Sequence, residues 1–96
     1  MTDPRLIRLA EPDNVLMIAT TLNEGEALQV SGETVRLATA LSLGHKIAAR
    51  PIAAGETILK YNFPIGVATE DIPLGAHVHV HNVRSDYTPT HLVGGG

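Results

Sequence analysis

The chain has 96 residues, a formal charge of −3, no cysteine, and only two tyrosines and one phenylalanine. That length holds one domain with a core of Val, Ile, Leu and Ala, and its seven scattered lysines and arginines lack the basic stripe of a nucleic-acid surface or the polybasic cluster of a membrane surface. Disulfides and thiolate metal sites are excluded, no apolar run nears the roughly 18 residues of a membrane span, and the start lacks the pattern of a secretory signal, so a cytoplasmic protein is expected.

Residues 1–14 read as an arm closed by the turn-forming "EPDN" at 11–14. "VLMIAT" at 15–20 has strand length, Asn23 and Gly25 suit a turn, and residues 27–30 restart an extended segment. "SGE" at 31–33 is a second turn, and "TVRLATAL" after it alternates as a strand does. No stretch joins good helix formers to a sustained three-four apolar spacing and a cap, so less than about a tenth helix is expected.

The second half is more regular. "HKIAARPI" (45–52) leads through the "AAGE" turn to "TILKY" (57–61), and "PIGVATEDI" (64–72) leads through "PLGA" to "HVHVHNV" (77–83). The two units superimpose at an offset of twenty, Ile52 on Ile72, Gly55 on Gly75 and Asn62 on Asn82, and "LNEGEAL" at 22–28 is a fainter copy of "IAAGETI" at 52–58. The offset predicts that the two turns occupy equivalent places about a pseudo-twofold axis. The expectation is an all-β domain of short strands and hairpins over residues 15–84, with a tail over 85–96.

Read as one strand, "HVHVHN" puts His77, His79 and His81 on one face and turns Val78 and Val80 toward the core. Neighbouring imidazoles would stand about 6.6–6.8 Å apart and could converge on one metal. His77 and His81, about 13 Å apart along a strand, would not share an ion. Such a face is either solvated or lines a site, and His45 is a candidate for further ligation. Glu56 and Asp71 suit turn chemistry, and Lys46 and Arg50 suit solvated positions or a hold on a carboxylate. Spacing alone yields no reaction.

The segment "GHKIAARPIAAGETILKYNFPIGVATEDIPLGAHVHVHN", residues 44–82, resembles the SAF domain of the altronate and galactarate dehydratase family. The motifs are G-H-K, an I-x-x-G-E turn, K-Y-x-x-P-I-G-x-A-T and H-x-H-N. The resemblance implies a β-clip fold and a hydro-lyase that converts a sugar acid to a 2-keto-3-deoxy acid, with this chain as the small subunit beside a large catalytic subunit and inactive alone. A sulfolactate sulfo-lyase small subunit, or a non-catalytic binding or assembly module, is the alternative. It further implies catalytic roles for His45, His79 and His81, and substrate binding by Lys46 and Asn82. A divalent metal, Fe2+ or Mn2+, would touch His79 and His81 and be held mainly by the partner. His77 lies outside the shared motif and is expected to be a surface residue.

Overall fold

The computed structural model describes residues 2–85. Nine short strands form three antiparallel sheets, and no helix occurs among the described residues, as the turn-rich sequence predicts. The expected tail lies outside them, apart from its first residue.

The central sheet contains β1 (Leu6–Ile7), β2 (Val15–Ile18), β5 (Lys46–Ala48) and β8 (His77–Val78), in the order β1-β2-β5-β8. Strand alternation sends its side chains into two cores. Leu16, Ile18 and Ile47 enter one core, with Leu22, Leu28, Val30, Leu37 and Leu41. Val15, Ala48 and Val78 enter the other, with Ile52, Ile58, Ala68 and Ile72. Each core is covered by its own hairpin: β3 (Ala27–Val30) with β4 (Glu33–Arg36) on the first, β6 (Thr57–Lys60) with β7 (Phe63–Ala68) and β9 (Val83–Arg84) on the second.

The arm belongs to this architecture. Leu6 is buried, and β1 pairs with β2 through Leu6↔Ile18 and Ile7↔Met17. The buried Asp13 accepts hydrogen bonds from the Tyr61 and Asn62 amides, both at 2.7 Å. Those two residues hold positive φ (56° and 64°) between β6 and β7, in the manner of a two-residue hairpin turn. Asn14 donates to the Thr57 carbonyl and accepts from the Leu59 amide. Asp13 and Asn14 are thus a clamp on the second hairpin as well as part of a turn.

Candidate functional site

Four turns share one hydrogen-bond pattern. At each, a glycine amide donates to a carbonyl on an opposing strand, and the opposing amide donates to the carbonyl of the residue after the glycine. The pairs are Gly25 and Glu26 with Leu37, Gly44 and His45 with Ile18, Gly55 and Glu56 with Ala68, and Gly75 and Ala76 with Ala48. All four glycines have φ between 80° and 93°, where a Cβ is disfavoured. The residue three before each glycine forms a bridge, Leu22↔Leu41 for the first two turns and Ile52↔Ile72 for the last two. An antiparallel bridge is a local twofold, so the "AAGE" and "PLGA" turns have equivalent backbone pairing, as the offset of twenty predicts, although their surroundings differ: Gly55 is exposed and Gly75 is buried.

The residue after the glycine varies. Glu26 and Glu56 fold back to accept from the amide three residues earlier, Asn23 and Ala53, and each also meets an arginine, Arg5 or Arg50. His45 holds the same place in the second turn. Its Nδ1 instead lies 3.0 Å from Nε2 of His77.

β5 pairs with β8 in the register Lys46↔Val78 and Ile47↔His77, which one step further sets His45 opposite His79. The ring centroids lie 5.0 Å apart for His45 and His77, 5.4 Å for His45 and His79, and 5.3 Å for the stacked His77 and His79. One donor nitrogen from each of these three rings falls within 4.8 Å of the other two. His45 and His77 are half-buried and His79 is exposed.

After Val78 the chain turns. The Asn82 amide donates to the His79 carbonyl at 3.1 Å, closing a tight turn that returns the His81 ring to 5.5 Å from His77. Asn82 holds this turn from inside, 3% exposed. Its side-chain oxygen accepts from the His79 amide and its nitrogen donates to the His77 carbonyl.

Burial, followed by repulsion from His45, His79, His81 and Lys46, pushes the His77 imidazole down to about 4, so this ring is neutral at physiological pH. Partial burial and then Lys60 hold the Lys46 ammonium below its usual range. No carboxylate forms an ion pair with Lys46 among the described residues. The cluster stands between two clefts. One, about 480 Å³, is lined by Arg36, Glu70, Asp71, His77 and His81, and the other, about 300 Å³, by Lys46, Ile65, His79 and Val80.

The structure brings His45 to the 77–81 segment, as the shared motif halves suggest, but it revises that segment. The strand expected over 77–83 is only His77–Val78, followed by a turn, so Val80 is 80% exposed rather than in the core. The turn cancels the separation expected of His77 and His81. His77 is half-buried against His45 rather than a surface residue. The three nitrogens that converge belong to His45, His77 and His79, where the pair expected for a metal was His79 with His81. Both ends of the Asn82 amide are engaged with backbone, which fits the expected orientation of its neighbours. The signal for His77 lay in "LSLGHK": aligning Leu41 with Ile52 makes it a fourth turn unit and carries His45 to the sheet edge beside His77.

Residues 4–86 match the altronate/galactarate dehydratase SAF domain family. The chain is 37% identical over 86 residues to an altronate dehydratase of Bacillus subtilis, which covers 90% of this chain and 17% of that protein. It is 41% identical over 80 residues to the altronate dehydratase of Escherichia coli, 16% of whose length is matched. A (2R)-sulfolactate sulfo-lyase subunit alpha of Chromohalobacter salexigens is 48% identical over 46 residues, covering 48% of this chain and 49% of that one. The chain thus spans about a sixth of the altronate dehydratases and about half of the sulfo-lyase subunit.

Proposed function

The chain belongs to the altronate/galactarate dehydratase SAF-domain family, and on that premise we propose that it is the small subunit of a cytoplasmic hydro-lyase acting on a sugar acid. The observation that carries this reading is the meeting of the G-H-K and H-x-H-N motifs in one imidazole face between two clefts. Dehydration breaks the C–H bond α to the carboxylate and the C–O bond at the next carbon. The base keeps the proton, the hydroxyl leaves as water with a proton from an acid, and the enol tautomerises to a 2-keto-3-deoxy acid.

The exposed rings of this face, His81 foremost, exchange those protons, since a neutral imidazole can accept a proton and an imidazolium can donate one. The Lys46 ammonium holds the substrate carboxylate. A divalent cation, Fe2+ or Mn2+, supplies Lewis acidity toward the carboxylate or hydroxyl. A large catalytic subunit closes the face and excludes water. Leu43 and Val80, 64% and 80% exposed beside His45 and between His79 and His81, offer it apolar anchors. A sulfolactate-type small subunit is the second reading, favoured by the 48% identity to a protein named as one subunit of that enzyme.

The test is co-expression with the large subunit, purification, and assay of the pair and of this chain alone against altronate, galactarate and sulfolactate. The proposal expects sugar-acid turnover by the pair and none by the chain alone. Turnover of sulfolactate only selects the second reading. Turnover by the chain alone removes the partner from the account, and failure to form any complex points to a non-catalytic module.

A further inference from the structure

The three imidazoles that converge are not the pair the family motif draws attention to, and their placement carries a separate conclusion. His45 sits on a glycine turn, His77 in a strand of the central sheet, and His79 at the first position of the turn that Asn82 fixes. Their backbones are therefore set by the sheet register and by a buried amide, before any ligand arrives. Two imidazole nitrogens on one ion, each at about 2.1 Å, stand about 3.0 Å apart in octahedral and about 3.4 Å apart in tetrahedral geometry. The His45 Nδ1 and His77 Nε2 atoms already stand 3.0 Å apart. One nitrogen of each of the three rings lies within 4.8 Å of the others, and the His79 side chain is exposed, so its rotation toward the other two is not blocked by packing.

We infer that His45, His77 and His79 form a mononuclear site for a divalent first-row transition metal, held by this chain without its partner. Three neutral nitrogen donors suit ions of the iron-to-zinc series rather than magnesium or calcium, which take oxygen. No carboxylate joins the three ligands among the described residues, so the remaining coordination positions face the clefts and are free for water or an anionic ligand. His81, 5.5 Å from His77 by ring centroids, stays outside the donor set and keeps its lone pair. The site is independent of the lyase reading, because it is a property of the isolated chain.

The test uses the untagged full-length chain, titrated with Co2+ followed by visible absorption and with Zn2+ followed by calorimetry, for the wild type and for His45→Ala, His77→Ala, His79→Ala, His81→Ala and His91→Ala. One ion per chain is expected. Affinity should fall by tenfold or more in each of the first three variants and change by less than about threefold in the last two. Because His79 is exposed, its variant separates lost ligation from lost folding, and thermal melts with and without Zn2+ give a second readout: at the same Zn2+ concentration the ion raises the midpoint of His79→Ala less than that of the wild type. Binding that saturates only in the millimolar range, more than one ion per chain, or an equal loss on removing His81 overturns the assignment. Sugar-acid activity enters none of these readouts, so the metal site and the lyase reading fail or stand separately.

Discussion

At Gly55 and at Gly44 the backbone does the same thing: a left-handed glycine, an amide given to the opposing strand, and a return bond from the residue that follows. After Gly55 the side chain is Glu56, which accepts from the Ala53 amide and meets Arg50. After Gly44 it is His45, which leaves its own turn uncapped by a side chain and reaches across the sheet edge to His77. One turn uses its variable position to hold itself. The other makes that position available to a site, because the backbone bonds of the unit suffice to define the turn. The fourth copy, Gly75, has Ala76 there and contributes neither.

The largest test of this contrast exchanges the two losses. In the complete enzyme, His45→Ala should lower kcat/KM by 10²–10⁴-fold with a nearly unchanged melting temperature of the metal-free protein, on the reading that its ring serves the reaction. Glu56→Ala should do the reverse: activity retained at low temperature, and stability reduced by no more than about 1 kcal/mol, since its ion pair is exposed. A His45 variant that loses its midpoint in the absence of metal along with its activity would make that ring a structural element like Glu56.

The glycines themselves give the next effect. Gly55 and Gly75 have nearly the same φ, 87° and 80°, yet a Cβ at Gly55 meets nothing within 4 Å, while at Gly75 it would lie 2.6–2.9 Å from Val35. Gly55→Ala should cost about 1–2 kcal/mol from backbone strain alone. Gly75→Ala adds a contact that Val35 must retreat from, and should cost about 1–3 kcal/mol more. Denaturant midpoints with unchanged m-values measure the difference, and equal costs would show that Val35 yields freely.

Asn82 sharpens the comparison from the other side of the sheet. Asn82→Ala removes the partners of the His79 amide and the His77 carbonyl at a partly buried place, a cost of about 1–2 kcal/mol. Since the turn carries His79 and His81, the same variant should weaken Co2+ binding even at temperatures where the chain is fully folded. Loss of stability with metal affinity intact would separate Asn82 from the site.

The all-β character, the glycine turns and the approach of His45 to the histidine segment were readable from the sequence, because turn glycines and β-branched runs are local signals and motif halves point at each other. The extent of β8 was not. Alternation of His and Val over 77–81 reads as a strand, and what ends it after Val78 is the buried Asn82, whose two backbone bonds form only once the chain has turned. The half-burial of His77 is hidden in the sequence for the same reason, since its partner is 32 residues away and the register that joins them is tertiary. The arm was underestimated likewise: nothing local in "PDN" says that Asp13 and Asn14 reach residues 57–62.

The smallest expected effect is in the response to acid. His77 has its pKa pushed down to about 4 by burial and by its cationic neighbours, against an ordinary value near 6.5 when the chain unfolds. Between those values the unfolded chain binds the proton that the folded chain refuses, so the folded state loses stability as pH falls from about 6.5 toward 4, and this contribution is fully present above 6.5. Glu56, whose carboxyl is lowered by Arg50 and by the Ala53 amide, loses its contribution at lower pH, as it is protonated below the ordinary carboxylate range. The two turns should therefore weaken in order on acidification, the histidine face first. His77→Gln removes the earlier step, flattening the dependence of midpoint on pH between about 6.5 and 5, while Glu56→Gln leaves that upper window as in the wild type and alters the response only as pH falls toward 4.5 and below. An unaltered slope in His77→Gln would mean that the ring titrates as freely in the fold as out of it, and that its contact with His45 does not exclude the charged form.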